Sequence, residues 1–282
     1  MRLKGRSIVI AGIANNRSIC WAIAQQVKSE GGEVISLCIP RMERSVTKLT
    51  SQNGMRAPIL CDVEVEDTDD ISIVAAIGKL AAENITVHGL VHGIAFSDPE
   101  QLQGRFVDMT RENFITTMLI SCYSFVEMAR HLAPLMKEGG SAVTLTFEAS
   151  HRTYPHYNGM GPAKAALEAA ARFLAADYGQ QGIRFNSLST SPQDTLSGRG
   201  IANFRAIGAY AAAKAPDGKR ASLEEIAFEV GNLLDPRSGV NGQNIMVDHG
   251  ASSTEMPPPW NAWAMAGAMV EVDKIYRGDK KS

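Results

Sequence analysis

Short apolar runs alternate with longer stretches of helical period over the first 250 residues. Runs at 7–12, 32–39, 55–61, 87–93, 141–147, 183–189 and 244–247 predict strands. Helical periodicity at 17–30, 43–52, 69–83, 114–137, 162–178 and 223–234 predicts the helices between them. Strict alternation of this kind predicts an α/β fold: one domain, a doubly wound parallel sheet with helices on both faces. Such a sheet places its ligand at the carboxyl ends of its strands. Chemistry is therefore expected in the loops after Gly12, Ile39, Cys61, Gly93, Phe147 and Ser189.

Composition narrows the function classes. The chain has 282 residues, with 28 Lys and Arg against 30 Asp and Glu, a net charge of −2. That balance argues against a nucleic-acid surface as its main business. Apolar residues make up 45% and charged residues 21%, the mix of a globular protein with a substantial core. No apolar run reaches membrane-spanning length, so no integral membrane segment is expected. The apolar Ile8-Val9-Ile10-Ala11 is too short for a secretory signal. Cys20, Cys38, Cys61 and Cys122 lack C-x-x-C spacing and read as reduced thiols of a cytoplasmic protein. His88 and His92 are four apart in a strand-like run, where local packing is the simpler reading, and no metal site is expected. The acidic stretch 62–70 reads as a solvated loop leading into a helix, with Asp62 set apart because it follows a strand directly.

The first β–α turn reads Gly12-Ile13-Ala14-Asn15-Asn16-Arg17-Ser18-Ile19. Gly12 permits close approach of backbone to a phosphate. The helix N-terminus near Ser18 and Ile19 offers free N–H groups to a pyrophosphate. This is a Rossmann-like site in outline, although G-x-G-x-x-G is absent. In an NAD site a carboxylate after the second strand would hold the ribose 2′-hydroxyl. Here the segment is Pro40-Arg41-Met42-Glu43-Arg44-Ser45. Cations at a helix N-terminus oppose its dipole unless an anion is bound. Arg41, Arg44 and Ser45 thus favour a 2′-phosphate and NADPH, with NADH possible.

Tyr157 and Lys164 are seven residues apart in Tyr157-Asn158-Gly159-Met160-Gly161-Pro162-Ala163-Lys164. On a helix both would project from one face, about 10 Å apart along the axis. The lysine's charge would favour a hydrogen bond from the tyrosine to a developing oxyanion. Pro162 is a normal first-turn residue if the helix begins near Gly161, and a disruption if it begins earlier.

With these motifs the chain resembles the enoyl-acyl-carrier-protein reductases, a divergent branch of the short-chain dehydrogenase/reductases that uses Tyr-x6-Lys. The resemblance spans residues 3–250. It includes the Gly12–Ile19 loop, Cys61-Asp62-Val63, Val91-His92-Gly93-Ile94-Ala95-Phe96, Ser121-Cys122-Tyr123-Ser124-Phe125, Tyr157 to Glu168, Ala175-Ala176-Asp177 and Gly182-Ile183-Arg184-Phe185-Asn186. It implies that Gly12, Ser18 and Ile19 line the pyrophosphate and ribose. It also implies that Asp62 and Val63 flank the adenine, Gly93 passes the adenosine ribose, Lys164 binds the nicotinamide ribose, and Pro192 and Thr195 lie beside the nicotinamide. Hydride would pass to the β-carbon of a trans-2-enoyl thioester, on acyl carrier protein or CoA, in fatty acid biosynthesis. Tyr157 would hydrogen-bond the thioester carbonyl. Phe96, Phe147, Ile201 and Phe204 would line the acyl site with Tyr157. A stretch near 195–215 would form a substrate lid, and the protein would be a homotetramer.

The chain departs from the family pattern at several places. Phe147 stands where many members have a second tyrosine, Ser191 and His249 where glycine is usual, and Asp194 where a cation is usual. The altered Ser191–Asp194 loop motivates one alternative, a related reductase for another carbonyl or enone, and Pro162 motivates a second, a non-catalytic NADPH-binding paralogue. Residues 1–255 read as the reductase domain. Residues 256–282, with Trp260, Trp263, Met265 and Met269, read as a C-terminal extension for subunit packing or partial disorder.

Overall fold

The protein is described by a computed structural model that covers residues 1–195 and 204–277. Its strands are β1 (Ser7–Ala11), β2 (Glu33–Cys38), β3 (Ile59–Leu60), β4 (Gly89–His92), β5 (Gly140–Phe147), β6 (Ile183–Thr190) and β7 (Asn244–Val247). Its helices are α1 (Ile19–Ser29), α2 (Glu43–Gln52), α3 (Ile73–Ala82), α4 (Arg111–Met118), α5 (Ser124–Leu132), α6 (Met160–Tyr178), α7 (Phe204–Lys214), α8 (Leu223–Leu234) and α9 (Ala262–Arg277).

The strands form one parallel sheet in the order β3-β2-β1-β4-β5-β6-β7. Both faces are buried, so alternate side chains of one strand serve opposite cores. Ile8 and Ile10 of β1 pack with α1 and α8. Val9 and Ala11 pack on the other face with α3, α5 and α6. Strand order reverses between β1 and β4, where Ala11 pairs with His92. That switch point is where a doubly wound sheet opens a ligand crevice.

Several boundaries differ from the periodicity for identifiable reasons. The strand predicted over 55–61 shrinks to Ile59–Leu60, because Pro58 has no N–H for the ladder. The helix predicted from residue 69 begins after Ser72, whose Oγ caps the Ala75 N–H at 3.1 Å. The long helix predicted over 114–137 begins earlier, capped by Thr110, and is interrupted by a π-helical turn at Leu119–Tyr123. It closes in a 3₁₀ turn at Ala133–Leu135, where Pro134 cannot continue it. Helix α6 starts at Met160, which puts Pro162 in the first turn, where an N–H would have no partner. The C-terminal extension forms α9, packed beside α7. Among the described residues no helix is long and apolar enough to cross a membrane.

Candidate active site

The switch point is a cradle without side chains. Gly12 has φ +115°, a conformation that L side chains rarely adopt. A Cβ there would stand 2.5 Å from the Gly93 carbonyl oxygen. A Cβ on Gly93 would collide with the Cys20 sulfur. Only two glycines let the ends of β1 and β4 and the start of α1 approach this closely. Ser18 is the N-cap of α1, but its Oγ turns back to accept the Ala14 and Asn15 N–H groups at 3.1 and 3.0 Å. The Trp21 and Ala22 N–H groups reach the Ser18 carbonyl. Among the described residues no acceptor meets the N–H of Ile19 or Cys20, the free donors of a helix N-terminus that favour an anion. The donors and the open cradle fit a dinucleotide pyrophosphate.

The rim carries the other cofactor candidates. Asp62 follows β3, its carboxylate accepting the Glu64 N–H at 3.1 Å, beside buried Val63. Arg41 and Arg44 are exposed at the start of α2, and among the described residues neither has a carboxylate partner. Ser45 Oγ donates to the Ala14 carbonyl at 3.0 Å, which ties this turn to the phosphate loop. Pro192 is buried, and the N–H of Thr195 donates to the Gln193 carbonyl at 2.7 Å.

Tyr157 is not on the helix that the spacing predicted. It sits in the turn before α6, with its N–H on the Tyr154 carbonyl and its own carbonyl accepting from Met160. Its neighbours His156 and Asn158 both have positive φ, 61° and 35°. Non-glycine residues in that region store strain, which must be held by surrounding structure. Asn158 is anchored by donating to the Gln101 carbonyl at 2.9 Å. The Tyr157 ring packs edge-on against Phe147 at 5.2 Å, and Leu102, Ala149, Met160 and Ile207 complete a small apolar cluster. Its hydroxyl makes none of the hydrogen bonds among the described residues, whereas that of Tyr154 donates to Glu148. Burial pushes the Tyr157 pKa up, so its hydroxyl stays a proton donor.

Lys164, buried in the second turn of α6, donates to the Leu145 carbonyl at 2.8 Å. Burial draws its pKa down to about 8, although Glu168 acts to raise it. Its charge reaches Cys20, His92 and Cys122, which places the ammonium at the ends of β4 and β5 facing the first turn of α1. His92 is wholly buried between Thr144 and Ser124, each at 2.9 Å, and burial with the nearby Lys164 lowers its pKa to about 3. It is a neutral structural histidine. The π-helical turn brings Ser121 to the loop after β4, accepting from the Phe96 N–H at 3.0 Å.

The predicted residues are thus partly assembled. Tyr157 and Phe147 meet, Lys164 lies at the adjacent strand ends, and Gly12, Gly93, Ser18 and Ile19 form one cradle. Phe96 is 38% exposed and outside the Tyr157 cluster, which Ala95 of the same loop joins instead. Ile201 lies outside the described residues. Phe204 opens α7, and its side chain also lies outside them.

Three of the sequence departures are accommodated locally. Ser191 Oγ accepts the Ala221 N–H at 2.9 Å, and Asp194 pairs with Arg220 at 3.5 Å. His249 adopts φ 56° and bonds Asp217 at 2.7 Å and Glu225 at 3.1 Å. Sequence reasoning missed Glu148, a buried carboxylate one residue beyond Phe147. Its position directly after a strand on the ligand edge was the available signal.

A parallel doubly wound sheet, a glycine cradle at its switch point, and Tyr157 and Lys164 near the end of β5 give the outline of the short-chain dehydrogenase/reductase class. The model of the family described as enoyl-(acyl carrier protein) reductase matches residues 12–252. An NADH enoyl-acyl-carrier-protein reductase of Rhizobium meliloti is 39% identical over 257 residues, covering 90% of this chain and 94% of its own. The Bacillus cereus NADH enzyme FabI is 38% identical, covering 88% and 97%. The Anaplasma phagocytophilum reductase solved with NAD superposes with TM-score 0.86 at 36% identity, covering 92% of this chain and 98% of that one. A Bacillus cereus reductase solved with NADP+ and an indole naphthyridinone gives 0.84 at 36%, covering 90% and 98%. The chain belongs to the enoyl-acyl-carrier-protein reductase family, an oxidoreductase family.

Proposed function

We propose that this chain reduces the carbon–carbon double bond of trans-2-enoyl thioesters on acyl carrier protein, with hydride drawn from NADPH. The observation that carries the reading is the Tyr157 hydroxyl: on a buried ring, protonated and unpartnered among the described residues, within an apolar cluster near the end of β5. When bound, the reduced nicotinamide supplies hydride to the β-carbon. The electrons of the double bond then move toward the thioester oxygen. Tyr157 stabilises that oxyanion by donating its O–H, and the α-carbon takes a proton to complete the reduction. Lys164 would turn from the Leu145 carbonyl to the nicotinamide ribose, its charge favouring the oxyanion. Gly12, Ile19 and Cys20 would receive the pyrophosphate, Gly93 the adenosine ribose, Asp62 and Val63 the adenine, and Pro192 and Thr195 the nicotinamide. Phe147 and Ile207 would form an acyl wall.

NADPH is supported by Arg41 and Arg44, exposed cations without carboxylate partners among the described residues, on a turn tied to the phosphate loop by Ser45. A second reading, NADH, is favoured by the cofactor in the names of the Rhizobium meliloti and Bacillus cereus relatives. Cofactor oxidation with crotonyl and dodecenoyl thioesters, read for each cofactor in wild type, Tyr157→Phe and Arg41→Ala/Arg44→Ala, tests both. Turnover that falls at least 100-fold in Tyr157→Phe, with cofactor binding intact, is expected. An NADPH-selective loss in the arginine variant supports the 2′-phosphate site, and equal losses with both cofactors refute it. Residues 1–255 as the reductase domain and a homotetramer complete the proposal, the latter read by sedimentation velocity.

A further inference from the structure

Helix α7 reaches the Tyr157 cluster through Ile207. Ile207, Ala211 and Lys214 lie at i, i+4 and i+7, the stripe that faces the core, and all three are buried. Lys214 is only 4% exposed, a charge where an apolar residue is expected. Beside this stripe the helix is mostly small, with Ala206, Gly208, Ala209, Ala212 and Ala213, and the centre of the half-buried Tyr210 ring lies 5.8 Å from Lys214 Nζ. Its partner is Glu148, 6% exposed, on the 3₁₀ turn that follows β5. Lys214 Nζ lies 3.7 Å from Glu148 Oε1, and Arg152 Nε lies 2.8 Å from the same oxygen. Glu148 Oε2 accepts the Tyr154 hydroxyl at 2.6 Å. The Tyr154 ring packs on Phe147 at 4.9 Å, and Phe147 packs on Tyr157. One carboxylate therefore ties α7 and the aromatic wall of the site together.

We propose that the buried Glu148–Lys214 pair is a register pin for α7, setting where Ile207 stands over Tyr157 and hence which acyl chains the site accepts. A slip by one residue would move the helix about 1.5 Å and rotate Lys214 by about 100°. It would leave the buried Lys214 ammonium without its carboxylate, the costly outcome for a buried ion pair, while Glu148 kept Arg152. Fixing register is the best-attested use of such pairs. Glu148 and Lys214 are positioning residues here, and the assignment rests on the proposed function of the Tyr157 site.

The test compares Glu148→Gln, Lys214→Met and the double variant with wild type. It reads thermal midpoint, hydrogen exchange of the α7 amides, and kcat and KM for C4 and C12 enoyl thioesters. Each single variant should lower the midpoint, speed α7 exchange at least tenfold and shift the C12-to-C4 ratio of kcat/KM at least fivefold. The double variant should regain the midpoint, since no buried charge is left unpaired and half-exposed Arg152 keeps Glu255 at 3.5 Å, yet keep the altered chain-length ratio. Ratios within twofold of wild type in all three variants would overturn the proposal and leave the pair a structural contact. If the wild type reduces no enoyl thioester, the proposed function falls by itself. The pin is then decided by exchange: faster α7 exchange in the singles sustains it, and unchanged exchange overturns it.

Discussion

Replacing Lys164 by methionine should separate what the site needs from what the fold tolerates. The side chain is buried, and its pKa falls from 10.5 to about 8. At about 1.4 kcal/mol per pH unit, holding it charged in the fold costs about 3 kcal/mol at neutral pH. The sign follows from proton counts. Between pH 8 and 10.5 the unfolded chain keeps the lysine proton and the folded chain sheds it, so the lysine's cost shrinks as pH rises. Methionine carries no such cost, but it leaves the Leu145 carbonyl without its donor, a loss of about 1–3 kcal/mol. The net change at pH 7 is therefore small, from near neutral to about 2 kcal/mol in favour of Lys164→Met. The decisive quantity is its pH dependence. Urea unfolding at pH 7 and pH 9.5 should show the variant losing about 2 kcal/mol relative to wild type between the two. Reductase turnover should collapse in the same variant. A stability difference that does not move with pH would refute the buried-charge argument.

Three further perturbations follow from the same geometry. Gly93→Ala should cost about 1–3 kcal/mol by overpacking against Cys20 and weaken dinucleotide binding. Adding Cys20→Ala should recover much of the stability, and no recovery in thermal melts would contradict the collision. His92, held neutral with a pKa near 3, should make the fold acid-sensitive, because the unfolded chain binds a proton below about 6.5. Between pH 7 and 4 the wild type should lose about 3 kcal/mol relative to His92→Gln, and parallel acid limbs would count against this. His249 has its pKa raised by hydrogen bonds to Glu225 and Asp217. Its contribution is full below about 6.5 and is lost as pH rises through the folded value. His249→Gly should therefore be the weaker protein at pH 5.5 and lose that deficit by pH 9, where its backbone at φ 56° suits glycine better. A thermal-midpoint difference constant across that range would refute the pairing of His249 with Asp217 and Glu225 as its source.

By itself the sequence determined the alternation of elements, the parallel sheet, the family and the glycines at the switch point. These are local signals: a period of two or 3.6, a turn that only glycine tolerates, a motif in chain order. It also placed Tyr157 and Lys164 in the site, with their seven-residue spacing read as that of one helix face. The tertiary structure moved Tyr157 into a strained turn held by Gln101, a residue 56 positions earlier in the chain. It also decided that Arg220 would neutralise Asp194 and that Phe96 would stay at the rim. The pattern along the chain marked neither Lys214 nor Glu148 as buried. Whether two opposite charges 66 residues apart are buried together depends on which faces meet when helices close over the sheet. No periodicity along the chain encodes that distance, because burial and pairing belong to the packed arrangement of elements and not to any one of them.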